Sequence, residues 1–361
     1  MRGVYVPYAL LSAAKSSKGA KRAAGVASRL APCSDGHLCT VQRGFARSSG
    51  ATGVTNQTVT LVSIPLSIGQ PYVGPDKSPD MLKKNGLLQM LGDIGWRVEQ
   101  LPDITEVTGS DMGSIDMSAV NAKNCASIGA TCQIASEVLS DKAANTQNFI
   151  LILGGDHCIP IGTIPGLMKG RPNTGIVWVD AHADINIPAS SPSGNMHGMP
   201  VSFLMGLVEE ANKYPSMSWF KSCVKPEDLV YIGLRDLDHP EKALIKELGI
   251  KAFSMYDVDR WGIGGVMEQT DVHFKDKSHI HLSYDIDALD PFFAPSTGTA
   301  VRGGLTFREG NFICEYLCAT GKLSSMELVE VNPSLHNNID AQKTIDMALT
   351  LLGSSMGQRI L

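Results

Sequence analysis

Short apolar runs alternate with segments of helical periodicity along most of the chain. Each run is apolar at most positions and rich in β-branched residues, which is typical of strands buried on both faces of a parallel sheet. The runs are residues 58–65, 96–101, 149–153, 176–179, 229–234, 280–284 and 323–331, and helical spacing is found at 79–91, 116–142 and 199–207. The alternation predicts an α/β fold of three layers, in which helices cover both faces of a mostly parallel central sheet. We expect a single domain over residues 58–361.

Residues 1–57 form a different kind of segment. They contain eight basic side chains and a single acidic one, Asp35, among many Ala, Ser and Gly residues. This composition is typical of an organelle transit peptide, and no compact apolar stretch follows a basic start as in a secretory signal. We therefore expect a basic N-terminal extension that targets the protein to mitochondria. The alternative is an unstructured extension without a targeting role, on a cytoplasmic protein.

The charge balance and the apolar content argue against several classes of protein. The chain has a formal net charge of −5, and without the basic extension residues 58–361 carry −12. Because a large nucleic-acid interface requires a basic face, we expect no nucleic-acid partner. No apolar stretch approaches the roughly 20 residues of a membrane-spanning helix, so we expect no membrane partner. The eight cysteines include no C-x-x-C pair, which favours buried thiols over disulfides.

Aspartate and histidine side chains follow three of the apolar runs directly. The three clusters have the sequences GGDH, DAHAD and DID. A spacing of two places alternate side chains on the same face of an extended chain, and functional groups of open α/β sheets gather where strands end. We therefore expect the polar side chains of the three clusters to converge. The candidate metal ligands are His157, Asp180, His182, Asp184, Asp285 and Asp287.

These residue types indicate two divalent cations per chain. Four carboxylates that converge without a balancing charge repel one another and take up protons, whereas two divalent cations cancel their charge. Oxygen-rich sites with imidazole and without thiolate suit Mn²⁺, with Mg²⁺, Fe²⁺ and Co²⁺ as lesser alternatives. Two such ions can lower the pKa of a shared water and supply the nucleophile of a hydrolase. For each cluster taken alone, the alternative is a polar turn.

Two further regions carry candidates for catalysis and substrate binding. His197 lies in a Gly-flanked loop and can relay protons near neutral pH, although a histidine that caps the following helix fits the same position. Ser191, Ser193 and Asn195 of this loop are uncharged groups suited to a substrate carboxylate, or to turns. Glu330 lies at the end of another apolar run, where it suits a substrate cation or an exposed surface.

From about residue 58 to its C-terminus the chain is similar to a known family. It resembles the arginases of the ureohydrolase family in GGDHC, VDAHADIN, SGNMHGMPVSFL, SYDIDALDP, STGTAVRGGLTFREG and MELVEVNPSL, and in the loop GQPYVGPDKSPDMLKKNGL. The resemblance implies an arginase-like fold and hydrolysis of L-arginine to L-ornithine and urea, by attack of a metal-bridging hydroxide on the guanidinium carbon. The alternatives are an agmatinase or a related ureohydrolase of guanidino compounds, and an arginase-like protein that binds without catalysing.

The resemblance also implies roles for individual residues. One Mn²⁺ would be held by His157, Asp180, Asp184 and Asp285, and the other by Asp180, His182, Asp285 and Asp287. His197 matches the proton shuttle and Glu330 the carboxylate that pairs with the guanidinium, and with the ligand Asp184 they are the catalytic candidates. The substrate contacts that the resemblance implies are Asn186, Ser193 and Asn195 to the α-carboxylate, Asp238 to the α-amino group, and Glu241 and Thr299 as further polar groups. Ser191 remains a substrate-binding candidate on its hydroxyl group alone.

Two positions bear on assembly, and two depart from the family pattern. Arg308 and Glu309 resemble residues at the trimer interface, which implies a homotrimer. Cys158 stands where a serine is common in relatives, and Ser191-Pro192 stands where relatives often have two threonines. The extension before residue 58 lies outside the resemblance.

Overall fold

A computed structural model describes residues 57–109 and 120–359. Within these ranges eight strands form one sheet: β1 (Thr58–Ile64), β2 (Arg97–Gln100), β3 (Phe149–Gly154), β4 (Thr174–Val179), β5 (Leu229–Leu234), β6 (Lys251–Ser254), β7 (His279–Asp285) and β8 (Leu323–Val329). The spatial order is β2-β1-β3-β8-β7-β4-β5-β6, and each neighbouring pair runs parallel. The predicted basic extension and its targeting role fall almost entirely outside the described residues.

Nine α-helices accompany these strands in the same ranges. They are α1 (Ser78–Lys84), α2 (Leu87–Asp93), α3 (Cys125–Asn145), α4 (Pro160–Gly170), α5 (Pro200–Leu204), α6 (His239–Leu248), α7 (Met255–His273), α8 (Phe307–Ala319) and α9 (Asn338–Ser355). Short 3₁₀ segments, such as Met196–Gly198 and Ile286–Ala288, lie in the loops at the carboxyl ends of the strands.

The helices cover both faces of the sheet, which confirms the predicted three layers. In β3, Leu151 and Leu153 pack in one hydrophobic core with residues of α1, α2, α7, α8 and α9. Ile150 and Ile152 point to the opposite face and pack with α3 and α4. On that same face Trp178 of β4 packs with residues of α5 and α6. Because both faces are covered, the central strands are apolar on both sides, as their sequences indicate.

The helical prediction at residues 79–91 was wrong in one respect, because two helices occupy this segment. Gly86 separates them with a φ of +100°, a conformation that glycine adopts without a steric penalty. The helix predicted at 116–142 is observed from Cys125 onward, and its residues 116–119 lie outside the described ranges. The segment 199–207 is helical only over α5.

Four neighbouring strands position the functional residues. β3, β8, β7 and β4 are adjacent in the sheet and run parallel, so their carboxyl ends meet at one edge, where ligands bind in open α/β folds. β8 ends at Val329, two residues before the predicted end, because Glu330 adopts a left-handed conformation with a φ of +61°.

Two predictions about composition can be compared with the described residues. None of the helices there has the length and apolar content needed to cross a membrane. The six cysteines in these ranges are free thiols, with Cys125, Cys132, Cys158 and Cys314 buried and Cys223 and Cys318 half-buried. For these six, thiols rather than disulfides are confirmed.

Candidate metal centre and substrate cleft

Three of the predicted ligands surround the imidazole of His157, just beyond the carboxyl end of β3. The Nδ1 atom of His157 lies 3.0 Å from Oδ2 of Asp180, 3.0 Å from Oδ2 of Asp184 and 3.2 Å from Oδ2 of Asp285. All four side chains are buried. One imidazole nitrogen among three carboxylate oxygens defines a first candidate cation position.

A second imidazole, that of His182, shares a carboxylate with the first. Its Nδ1 atom lies 3.4 Å from Oδ1 of Asp180 and 3.2 Å from Oδ2 of Asp287. Asp180 therefore directs one oxygen to each imidazole and lies between two overlapping groups of candidate ligand atoms. These groups are His157 with Asp180 and Asp285, and Asp180 with His182 and Asp287. The structure brings all six predicted ligands together.

Short-range hydrogen bonds orient the carboxylates. Oδ1 of Asp180 accepts the backbone N–H of His182 at 2.7 Å, and Oδ1 of Asp285 accepts that of Asp287 at 2.8 Å. The indole Nε1 of Trp178 donates to Oδ2 of Asp180 at 3.0 Å. The spacing of two in both motifs thus closes a small turn as well as placing two ligands on one side of the chain.

Two candidate site residues adopt left-handed backbone conformations. Asp184 has a φ of +49° and Glu330 a φ of +61°. For residues other than glycine this region costs on the order of 1–2 kcal/mol, and such strain concentrates at functional sites. The conformation turns each side chain back toward the cluster, because Asp184 contacts His157 and Glu330 contacts His197.

The electrostatics of the cluster indicate an excess of negative charge. Burial, followed by the charge of Asp180, raises the pKa of Asp184 to about 7. Burial and the charge of Asp287 raise the pKa of Asp285 well above its ordinary value. Burial lowers the pKa of His157, but the three carboxylates around it outweigh this and raise it well above 6.5. Without cations the cluster would therefore retain protons near neutral pH.

The residues present fit divalent cations. Nδ1 of His157 is buried and makes no hydrogen bond of acceptable geometry in the described residues, although three carboxylate oxygens lie within 3.2 Å of it. Imidazoles and carboxylates with raised pKa values release protons when a metal ion binds to them. The donor set, four carboxylates and two imidazoles without thiolate, suits Mn²⁺ and other oxygen-preferring cations. Cys158 is buried and is not part of either ligand group.

The imidazole of His197 lies beside Glu330 next to this cluster. Nδ1 of His197 is 3.3 Å from Oε1 of Glu330, and the same oxygen accepts the backbone N–H of His157 at 2.9 Å. Burial lowers the pKa of His197, but the hydrogen bond and charge of Glu330 prevail and raise it to about 9. Glu330 is 1% exposed, so the alternative of an exposed surface acid is wrong.

A polar cleft opens above the candidate metal positions. It is lined by the metal-ligand candidates His182, Asp184 and Asp285, by His197, and by all seven predicted substrate contacts, which are Asn186, Ser191, Ser193, Asn195, Asp238, Glu241 and Thr299. His157, Asp180, Asp287 and Glu330 lie beneath it, almost completely buried. Loop residues whose positions could not be predicted from periodicity therefore lie together in this cleft.

Several cleft residues also have partners within the protein. Nδ2 of Asn186 donates to Oδ2 of Asp238 at 2.9 Å. Both oxygens of Glu241 accept backbone N–H groups, from residues 185 and 238. The Thr299 hydroxyl donates to Oδ2 of Asp287 at 2.8 Å. Glu241 and Thr299 thus support neighbouring site residues.

Arg308 and Glu309 lie away from the cleft, in the first turn of α8.

Three residues near the candidate metal centre were not predicted from the sequence. Asp236 lines the cleft and lies 3.9 Å from Nε2 of His182. Ser283 and Glu327 lie below His157, and the signal that could have revealed them is the presence of polar residues inside otherwise apolar strands.

Buried carboxylates and imidazoles at the ends of parallel strands, below a polar cleft, define a metal-dependent hydrolase of the α/β class. The Arginase family model matches residues 57–357, and the chain belongs to the arginase family. An arginase of Neurospora crassa is 45% identical over 313 residues, which cover 83% of this chain and 86% of the relative. An arginase of Glaciozyma antarctica is 42% identical and covers 85% of this chain and 90% of the relative.

Two solved arginase structures are also similar to the structure of this chain. The native arginase of Bacillus caldovelox has a TM-score of 0.76 and 35% identity, and covers 84% of this chain and 100% of that one. The arginase of Entamoeba histolytica, solved in complex with L-ornithine, has a TM-score of 0.72 and 30% identity, and covers 84% of this chain and 99% of that one. The expected arginase-like fold is confirmed.

Proposed function

We propose that this chain is a two-metal arginase that hydrolyses L-arginine to L-ornithine and urea. The observation that carries the proposal is the position of Asp180, whose two oxygens face the two imidazoles, His157 at 3.0 Å and His182 at 3.4 Å. The adjoining cleft contains groups suited to both ends of the substrate. The ornithine complex of the Entamoeba relative supports an amino acid as the small molecule bound here.

The six acid and imidazole side chains would hold two Mn²⁺ ions per chain, with Asp180 and Asp285 shared between them. When bound, such ions supply an activated water near neutral pH and offset negative charge in the transition state. Asp184 would take part in catalysis as a ligand of the ion beside His157, because its carboxylate oxygen lies 3.0 Å from Nδ1 of His157 at the floor of the cleft. The preference for Mn²⁺ rests on the donor set of four carboxylates and two imidazoles without thiolate.

His197 and Glu330 act on the guanidinium end of the substrate. Because its pKa is raised to about 9, His197 carries a proton on each ring nitrogen at neutral pH. Its Nδ1–H faces Oε1 of Glu330, which leaves the proton on Nε2 for transfer to the departing amino group. The contacts of Glu330 with His157 and His197 both use Oε1, and we assign Oε2 to the guanidinium.

The loop residues of the cleft recognise the α-carbon end of arginine. The Ser191 hydroxyl oxygen accepts the N–H of residue 194 and that of Ser193 the N–H of residue 195, so both hydroxyl protons remain to donate to a carboxylate. Asn195 supplies an amide beside them. Asp238, oriented by Asn186, provides a negative charge for the α-amino group. Agmatine has no α-carboxylate, so this wall favours arginine over agmatine.

Urea release from arginine and from agmatine, after loading with Mn²⁺, tests the proposed function. We expect kcat/KM for arginine to exceed that for agmatine by at least about tenfold, the discrimination expected from one hydrogen bond to a charged group. Faster turnover of agmatine would contradict the assignment of the carboxylate-binding wall. Bound Mn²⁺ without urea release from either substrate would support the arginase-like protein that binds without catalysing.

We also propose a homotrimer with mitochondrial targeting by residues 1–57, and a catalytic domain of residues 58–361. Support for targeting comes from the basic composition of the extension and from a relative named mitochondrial, arginase-2 of Bos taurus, at 43% identity. Support for assembly comes from Arg308, which lines a cavity with exposed Phe312 on α8.

Two experiments test these proposals. A fluorescent protein fused to residues 1–57 tests targeting, with diffuse cytoplasmic fluorescence as the contradicting result. Light scattering of the chain begun at residue 58 tests assembly, and a monomeric mass would contradict the trimer.

A further inference from the structure

The carboxylate-binding wall of the cleft, formed by the loop 191–195, is attached to the segment that precedes α3. The backbone N–H of Lys123 donates to the carbonyl oxygen of Gly194 at 2.8 Å. The side-chain amide of Asn121 donates to the carbonyl oxygen of Ser191, also at 2.8 Å. The two hydrogen bonds join the segment before α3 to two points of the wall.

The segment before α3 is itself fixed by its neighbours. Nδ2 of Asn124 donates to the carbonyl oxygen of Ile68 at 2.7 Å, and the carbonyl oxygen of Asn124 accepts the N–H of Ile128 in the first turn of α3. The contact with the wall is close, because a Cβ atom at Gly194 would lie 2.0 Å from Oδ1 of Asn121. The fold therefore determines where the backbone of Lys123 lies relative to the wall.

The side chain of Lys123 reaches the amide of Asn195. Its Nζ atom lies 3.4 Å from Oδ1 of Asn195, and an ammonium group can only donate, so it fixes which end of the amide faces it. Nδ2 of Asn195 has no acceptor in the described residues and keeps both of its protons. Because Asn195 lines the cleft, these protons are available to a substrate carboxylate.

The charge of the cleft gives Lys123 a second effect. The lining includes five carboxylates and, among the described residues, no lysine or arginine; the carboxylates belong to Asp184, Asp236, Asp238, Glu241 and Asp285. A substrate carboxylate that enters such a cleft is repelled by like charge. The hydroxyls and the amide of the wall are uncharged, so the ammonium group beside Asn195 adds a positive charge where the carboxylate would lie.

We propose that Lys123 is a specificity-determining residue, which supplies the positive charge of the carboxylate-binding wall and orients the amide of Asn195 toward the substrate α-carboxylate. This inference rests on the proposed function. Agmatine carries two positive charges and no carboxylate, so the same lysine repels it. Lys123 thus increases the preference for arginine both by attraction of one substrate and by repulsion of the other.

Three substitutions of Lys123 separate its charge from its backbone contact. Lys123→Met removes the charge, Lys123→Arg keeps it and Lys123→Glu reverses it, and all three retain the N–H that donates to Gly194. The matched control is Lys275→Met. Lys275 is also exposed, but it lies between α7 and β7, at the edge of the sheet opposite the cleft.

The experiment is steady-state urea release by the full chain loaded with Mn²⁺, with arginine and with agmatine as substrates. In Lys123→Met we expect KM for arginine to rise about two- to fivefold, the usual range for an exposed charge pair, while kcat stays that of the wild type. Lys123→Glu should raise KM further, and Lys123→Arg and Lys275→Met should resemble the wild type. For agmatine, kcat/KM should not fall in Lys123→Met and should rise in Lys123→Glu.

Salt dependence distinguishes an effect of charge from an effect of structure. The Debye length shortens to about 3 Å at 1 M salt, which screens an exposed ammonium group. The difference in KM for arginine between the wild type and Lys123→Met should therefore decrease as salt is raised. A purely structural effect of the substitution would persist at every salt concentration.

Three outcomes would contradict the account. An active wild type whose KM for arginine is unchanged in Lys123→Met and Lys123→Glu would overturn the role of Lys123 and leave the proposed function intact. An equal fall for arginine and agmatine, not restored in Lys123→Arg, would assign the effect to the structure of the loop and overturn the inference as well. Absence of urea release by the wild type from either substrate would instead contradict the proposed function.

Discussion

Nδ1 of His197 lies 3.3 Å from Oε1 of Glu330, a contact that joins the loop after β4 to the end of β8. The same glutamate oxygen accepts the backbone N–H of His157, so one buried carboxylate contacts both the candidate proton shuttle and a candidate metal ligand. The contact between His197 and Glu330 thereby fixes the position of the His197 imidazole next to the candidate metal centre.

Replacement of His197 by alanine should separate catalysis from metal binding. We expect kcat for arginine to fall about 10²- to 10⁴-fold, the usual contribution of a general acid or base, because no other imidazole contacts Glu330 in the described residues. The Mn²⁺ content should remain that of the wild type, since His197 is not one of the six ligand candidates.

Steady-state kinetics and metal analysis of the same samples check this. His336→Ala, which removes an exposed histidine, is the matched control and should leave both quantities unchanged. A loss of bound Mn²⁺ in the His197 variant would assign that residue to the ligand set instead.

Replacement of Asp180 should remove more bound ions than replacement of Asp287. Asp180 faces both imidazoles, whereas Asp287 faces only His182. We expect Asp180→Asn to lose both ions and Asp287→Asn to keep about one of them, the ion beside His157. Metal content per chain after Mn²⁺ loading and dialysis measures the difference, and equal losses in the two variants would contradict the shared role of Asp180.

Mn²⁺ affinity should fall as the pH is lowered through neutrality. The pKa of Asp184 is raised to about 7 in the metal-free protein, so this carboxylate binds a proton at lower pH and a cation must displace it. Above pH 7 the carboxylate is already ionised and binding requires no proton release from it.

Mn²⁺ titrations below, near and above pH 7, with proton release measured alongside, check this prediction. The expected result is weaker binding and more released protons at the lowest pH. Affinity that is constant or increases as the pH falls would show that Asp184 does not exchange a proton for the cation.

Removal of a single cleft hydroxyl should change the choice between two substrates. We expect Ser193→Ala to lower kcat/KM for arginine about tenfold or more, the cost of a hydrogen bond to a charged group. Turnover of agmatine should stay constant, because agmatine presents no carboxylate to this wall. Parallel kinetics on the two substrates measure the ratio, and an equal fall for both would indicate damage to the loop rather than a lost carboxylate contact.

Much of the fold could be predicted because its strands are buried on both faces. Their largely apolar runs are visible without any structural information, and the ligand candidates follow three of these runs directly. Two of the differences from the predicted elements have local causes. A left-handed Gly86 divides the predicted helix at 79–91, and a left-handed Glu330 ends β8 early.

Other parts of the site could not be derived from periodicity. Asn186, Ser193 and Asn195 lie in an irregular loop, and their placement in the cleft depended on resemblance to a family. Ser283 and Glu327 were overlooked for the opposite reason, because polar residues inside an apolar run look like exceptions to a strand pattern. Their register across β7 and β8 shows that the two side chains lie side by side in the sheet.

The central claim is that two cations are held around the shared carboxylate of Asp180. The most direct measurement is the electron paramagnetic resonance spectrum of the full chain loaded with Mn²⁺ and freed of excess metal. Two ions bridged by a common ligand should give the broad spectrum of an exchange-coupled pair, and this spectrum should disappear in Asp180→Asn. A six-line spectrum of isolated Mn²⁺ in the fully loaded wild type would contradict the account.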